Sequence, residues 1–280
     1  MSPLNERAAD NLAAVRSTAP LVHNITNFVV MNLTANALLA VGASPVMAHA
    51  EEEVEEMVAL AGAVVLNIGT LSRDWVPAML RAGRTAQARG KPVVLDPVGA
   101  GATRFRTETA SRILQETGVH ILRGNASEIL AVARAMARNA GEDEPDSDIA
   151  TRGVEAVHPM AAAAAWAERL ANRSGVVVAV TGPTDLVTDG SRNILIRNGH
   201  PLMSRITGAG CTASAIVAAF AAVDPDPMIA TATGLAVFGL AGEIAGVSAS
   251  GPGTFMIGLL DVLYTLTPDR VLARARIEAP

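Results

Sequence analysis

Thr207-Gly-Ala-Gly-Cys211 is the segment best equipped for chemistry. Its glycines stand where a helix should begin, so the backbone can approach a ligand closely. Free amides and the helix dipole make such a turn an anion site, suited to an oxyanion or a transferring phosphoryl group. The same residues match a loose GxGxxA dinucleotide pattern. They lie about three quarters along the chain, however, where a first strand–helix turn would not fall. Cys211 follows at the helix start, a position that favours a thiolate. It reads either as a base toward an attacking hydroxyl or as a small buried apolar side chain.

Two carboxylates invite a metal reading. Asp96 closes a β-branched run and precedes Pro97, which keeps it extended. A carboxylate there can hold magnesium or polarise a water, or it can simply turn the chain. Asn125-Ala-Ser-Glu128 also has two readings. Glu128 could reach magnesium through water, but Asn-x-x-Glu at a helix start is equally a capping box, which the spacing alone favours. Asn24, Asn27, Asn32 and Asn36 crowd an apolar stretch. If that stretch is helical, Asn32 and Asn36 share a face. Buried amides need partners, whether in a substrate or in the core.

Other chemistries lack their residues. Gly90-Lys91-Pro92 has neither the upstream glycine nor the Ser/Thr of a Walker A loop, and there is no HExxH, no paired Cys-x-x-Cys and no Gly-x-Ser-x-Gly. Lys91 is the only lysine. Phosphate chemistry would therefore lean on arginine, backbone amides and a metal.

These residues need a scaffold, and the hydropathy pattern supplies one. Short β-branched runs occur at Ala63–Leu66, Pro92–Leu95, Val119–Leu122 and Gly175–Val180. Helix-forming stretches lie between them at Glu51–Leu60, Asp74–Arg89, Glu108–Thr117, Ala126–Arg138 and His158–Asn172. Apolar strands alternating with helices predict a mostly parallel sheet covered on both faces. Leu186–Thr188 and Asn193–Arg197, joined around Asp189-Gly190, predict a hairpin extending it. Cys211–Val223, Met228–Ala245 and Thr254–Leu266 predict a helical C-terminal segment. Residues 139–153 read as a mobile acidic surface loop, and residues 1–280 as one domain. In open parallel sheets ligands bind at the carboxyl ends of strands. Polar and glycine residues follow each predicted strand there.

A chain of 280 residues, half of them hydrophobic, can bury roughly three quarters of its unfolded surface without staples. Its single cysteine excludes an internal disulfide framework and fits a reducing compartment. A net charge of -5 argues against a nucleic-acid surface and for a small ligand. The N-terminus carries Glu6, Arg7, Asp10 and Arg16 and offers no secretory signal. Neither uncharged stretch, Ala19 to Ala50 or Ile206 to Val223, supplies about 20 continuous strongly apolar residues for a membrane span. The expected location is the cytoplasm.

Seven blocks in order carry a resemblance: Pro20-Leu-Val-His-Asn-Ile-Thr-Asn27, Gly42-Ala-Ser-Pro-Val-Met47, Leu66-Asn-Ile-Gly-Thr70, Asp96-Pro-Val-Gly-Ala-Gly101, Arg123-Gly-Asn125, Thr207-Gly-Ala-Gly-Cys211 and Gly251-Pro-Gly253. Together they resemble the hydroxyethylthiazole kinase family, of the ribokinase-like superfamily, over nearly the whole chain. The resemblance implies transfer of the ATP γ-phosphoryl group to the primary alcohol of 4-methyl-5-(2-hydroxyethyl)thiazole, a salvage step toward thiamine. It implies that Asn27 and Met47 line the thiazole pocket and that Gly208 contacts substrate. Arg123, Thr181 and Gly210 would hold ATP, and Asp96 and Glu128 would organise Mg2+. Cys211 stands where superfamily relatives place an aspartate base, a departure that points away from strong base catalysis. The resemblance also implies a homotrimer with active sites at subunit interfaces. Within the same superfamily, pyridoxal and hydroxymethylpyrimidine kinases and the NAD(P)H-hydrate dehydratase are the alternatives. The Asn27 and Met47 blocks argue against the first two, and the missing aspartate against the third. A non-catalytic binding module would have no need of Asp96, Glu128 and Arg123 together.

Overall fold

The computed structural model describes residues 2–141 and 159–279. Nine strands form one sheet in the order β2-β1-β3-β4-β5-β6-β7-β8-β9. They are β1 (Leu21–Ile25), β2 (Ser44–Val46), β3 (Ala63–Asn67), β4 (Val93–Asp96), β5 (Ile121–Asn125), β6 (Val177–Thr181), β7 (Asp185–Thr188), β8 (Asn193–Ile196) and β9 (Ile277–Glu278). From β2 to β6 all pairings are parallel, and from β6 to β9 they are antiparallel.

Strand periodicity divides the core. Val64, Leu66, Val93, Leu95, Leu122, Val178 and Val180 pack on one face. There they meet α3 (Val54–Leu60), α4 (Trp75–Ala88), α5 (Arg104–Glu116), α6 (Ala126–Asn139) and α7 (Pro159–Ser174). Val65, Val94, Ile121 and Ala179 point to the opposite face. That face is covered by α1 (Pro3–Thr18), α2 (Met31–Val41), α8 (Ala209–Ala221), α9 (Pro227–Ser248), α10 (Pro252–Thr265) and α11 (Pro268–Arg274). The α/β class, the hairpin and the helical C-terminal segment agree with the sequence reading.

The sheet is wider than the β-branched runs suggest. β1 and β2 precede the first expected strand, and β9 closes the far edge. Leu21-Val-His-Asn-Ile25 carries two polar residues in its middle, so it lacks the signature of a buried parallel strand. His23 and Asn24 are nevertheless fully buried. His23 Nε2 lies 2.7 Å from the Ala48 carbonyl, and Asn24 Nδ2 donates to the Val22 carbonyl at 2.9 Å. The uncharged stretch before residue 50 is thus strand, helix and edge strand. Among the described residues α9 alone is long and apolar enough to cross a membrane, and 83% of its apolar window is buried inside the fold. Most of the acidic segment at 139–153 lies outside the described residues, as does His158.

Candidate active site

The order of strands reverses at β1, since the chain goes outward to β2 and then returns to pair β3 on β1's other side. Such a reversal opens a crevice beyond the carboxyl ends of the two central strands. Asn27 follows β1 into that crevice, and Asn67 ends β3. Asn67 and Asp96 are register partners at the tips of β3 and β4. Arg123 lies on β5, and Thr181 ends β6.

Opposite these tips, α8 begins with Gly208 as its N-cap at φ 83°, a left-handed conformation that glycine adopts without strain. Gly210 sits one residue into the first turn. A Cβ there would stand 2.8 Å from Arg123 Nη1, so only glycine admits the guanidinium this close. The α8 dipole and its first amides therefore face a cation held by β5.

A continuous polar chain connects the pieces. Asn27 Nδ2 donates to Asn67 Oδ1 at 2.9 Å and lies 3.5 Å from Cys211 Sγ. Asn67 Nδ2 donates to Asp96 Oδ2 at 2.9 Å. Ser214 Oγ, one helical turn beyond Cys211, donates to the same oxygen at 2.8 Å. Arg123 Nη1 stands 4.0 Å from it, and Arg123 Nη2 donates to Thr181 Oγ1 at 2.7 Å. Asn27, Cys211, Asp96, Arg123, Thr181 and Gly210 thus form one connected cluster at the strand tips. Gly208 packs against Val30 beside it.

Burial shapes the chemistry. It pushes the Asp96 carboxyl up to about 6, although Arg123, Ser214 and Asn67 favour the charged form. The Cys211 thiol is pushed up to about 11, first by burial and then by the Asp96 charge, against the pull of Asn67, Asn27 and Arg123. Its helix-start position favours a thiolate, but desolvation and a neighbouring carboxylate outweigh the dipole. Cys211 is a neutral thiol at physiological pH.

Among the described residues no three or more His, Cys, Asp or Glu side chains gather into a metal cage. Asp96 Oδ1, however, is buried without a hydrogen-bond partner, while Oδ2 takes both donors. An orphaned carboxylate oxygen in a buried site fits a cation that takes one or two carboxylates and keeps waters and phosphates for its other positions. Glu128 has a structural role. Its Oε2 accepts from the Asn125 amide and its Oε1 from the Gly99 amide, both at 2.9 Å, while Asn125 Oδ1 accepts from the Glu128 amide at 3.0 Å. The capping box is present, and it also ties the β4–α5 loop to the start of α6.

Met47 lies off the network, just beyond edge strand β2, its carbonyl 3.4 Å from His49 Nδ1. Asn32 and Asn36 are exposed, and among the described residues the side chain of Asn36 donates to Asn32 alone, so that pair belongs to the surface of α2. Three contributors carry no role in the sequence reading. Asn67 and Ser214 orient Asp96. Arg106 donates to the carbonyls of Ile68, Val98 and Gly69 at 2.7, 2.8 and 2.6 Å, clamping the loops after β3 and β4 together. Ser214 has a signal, because it lies three residues after Cys211 on one helix face.

A sequence model of the hydroxyethylthiazole kinase family matches residues 12–269. A hydroxyethylthiazole kinase of Desulfotalea psychrophila is 54% identical over 99% of this chain and 97% of its own length. The solved structure of a hydroxyethylthiazole kinase protein from Pyrococcus horikoshii superposes with a TM-score of 0.87 at 45% identity, covering 98% of both chains. A ribokinase-like superfamily protein from Enterococcus faecalis, at 12% identity and a TM-score of 0.62 over 93% of this chain and 89% of its own, shares the fold alone.

Proposed function

This chain belongs to the hydroxyethylthiazole kinase family, and from that membership we propose how its site divides the labour of phosphorylating an alcohol. The enzyme transfers the γ-phosphoryl group of ATP to the primary hydroxyl of 4-methyl-5-(2-hydroxyethyl)thiazole. The thiazole phosphate formed feeds a salvage route to thiamine, in the cytoplasm, and residues 1–280 act as one catalytic domain.

Arg123 and Thr181 hold the ATP phosphates, and the amides at Gly208 to Gly210 receive the transferring phosphoryl group. The close approach of the Arg123 guanidinium to Gly210 supports this, because both charges then converge on one anion. Asp96, with its unpartnered Oδ1, and Glu128, with lone pairs its two amide partners leave free, would hold Mg2+. Bound there, magnesium would neutralise phosphate charge. Phosphoryl transfer runs through a loose transition state, so positioning and charge carry most of the rate and the hydroxyl loses its proton late. A neutral Cys211 thiol is compatible with that chemistry. Cys211 borders the alcohol and need not be a preformed base.

Asn27 and Met47 line the thiazole pocket together with Gly208. Phe28 and Val29, next to Asn27, are 64% and 63% exposed. Apolar side chains left open beside a site suit burial against a second copy. On this reading the enzyme is a homotrimer with its sites at subunit interfaces.

The observation that carries the proposal is the orphaned Asp96 Oδ1, on a carboxylate beside the Arg123 guanidinium that reaches the glycine turn. Coupled ADP release with hydroxyethylthiazole tests it. Release should require both the alcohol and magnesium, and release indifferent to the alcohol would defeat the reading.

A further inference from the structure

Asn67, which orients Asp96, also stands between the acceptor side of the site and the metal side. Its amide orientation is dictated by its neighbours. The Gly69 backbone N–H lies 3.0 Å from one terminal atom, so that atom is the carbonyl oxygen. The Asp96 carboxylate, which in its charged form can only accept, lies 2.9 Å from the other, so that atom is the NH2 group. Asn27 approaches the Asn67 oxygen at 2.9 Å and must therefore do so with its own NH2. Its second N–H faces Cys211 Sγ at 3.5 Å. Both donors of Asn27 are engaged, and the described residues offer no donor to its Oδ1.

We infer that Asn67 is a positioning residue: held by the Asp96 carboxylate, it locks the Asn27 amide with its oxygen presented to the acceptor alcohol. An alcohol about to be phosphorylated carries a proton it must give up, so it binds as a donor. An amide oxygen is the partner that orients its lone pairs away from that proton and toward phosphorus. Hydrogen bonds in such a chain polarise one another, so the Asp96 charge also strengthens Asn27 Oδ1 as an acceptor. One amide thereby couples the metal–nucleotide side to the alcohol side. The inference rests on Asn27 belonging to the acceptor pocket. Ser214 provides the contrast, since it donates to the same Asp96 oxygen at 2.8 Å but has no hydrogen bond to Asn27.

Calorimetric titration of metal-free, nucleotide-free protein with hydroxyethylthiazole reads the acceptor side alone. Asn67→Ala should weaken the alcohol by about tenfold or more, whereas Ser214→Ala should stay within about twofold of wild type. Asn67→Asp keeps an oxygen for Asn27 but sets a second carboxylate against Asp96. It should bind the alcohol within about threefold of wild type while losing about tenfold or more in affinity for magnesium with a nonhydrolysable ATP analogue. Wild-type alcohol affinity in Asn67→Ala, or an equal loss in Ser214→Ala, would overturn the inference. If Asn67→Ala does not fold, Asn67→Asp decides, and a parallel loss of alcohol and nucleotide overturns it. A wild-type protein that binds no alcohol is a separate failure, that of the kinase reading beneath.

Discussion

The Arg123 guanidinium lies so close to the backbone of Gly210 that a Cβ there would stand 2.8 Å from Arg123 Nη1. Arg123 cannot simply swing away, because its other terminal nitrogen bonds Thr181 at 2.7 Å and its side chain is only 11% exposed. Alanine is the better helix former, which offsets part of that clash, so Gly210→Ala should lower Tm by no more than about 4 °C. It should raise the KM for ATP by about tenfold or more, with a smaller change in the KM for the alcohol. Steady-state kinetics with each substrate varied in turn checks the split.

Glu128 offers a second test. Glutamine completes a capping box as glutamate does, but here each carboxylate oxygen accepts a backbone amide. Glu128→Gln leaves one amide facing an NH2 group, which should cost about 1 kcal/mol in urea unfolding. Turnover should fall far more, by about a hundredfold, if the charge serves magnesium as well. Unchanged turnover would return Glu128 to structure alone.

Cys211 is the third. With its thiol pushed up to about 11, little thiolate exists at neutral pH. Cys211→Ser should therefore change kcat by only about a fewfold, and Cys211→Asp should retain or raise it, because an aspartate is the better base. Collapse of kcat in both variants would mean that the sulfur itself is indispensable.

The fourth lies outside the site. Burial pushes Asp224 up, but Arg7 at 2.9 Å, Asn11 at 2.7 Å and the Asp226 amide at 3.1 Å outweigh it and hold the carboxyl below its ordinary value. A group whose folded pKa lies below its unfolded one adds stability above the unfolded value and loses it as pH falls through the folded one. Asp224→Asn should lower the urea midpoint at neutral pH and flatten its decline in acid. An acid limb as steep as that of wild type would contradict this.

How much of this was legible varies by residue. Asp96, Arg123, Thr181 and the turn at Gly208–Cys211 are readable because each interrupts or ends an apolar run with a polar or glycine residue. Asn67 also ends such a run, yet no spacing marks it as a hub. Its partners Asn27 and Asp96 lie 40 and 29 positions away, and only the parallel sheet brings them together. β1 is hidden because His23 and Asn24 break the apolar pattern that a buried parallel strand normally shows. The Glu128 capping box is local and so is legible, but its bond to Gly99 spans two strand tips and is not.

The most direct test of the account is a structure of the protein with magnesium and a nonhydrolysable ATP analogue. It should show the terminal phosphate against the amides of Gly208 to Cys211, Arg123 on the phosphates, and the metal on Asp96 Oδ1. A nucleotide bound elsewhere, with Asp96 Oδ1 still unpartnered and the glycine turn empty, would contradict it.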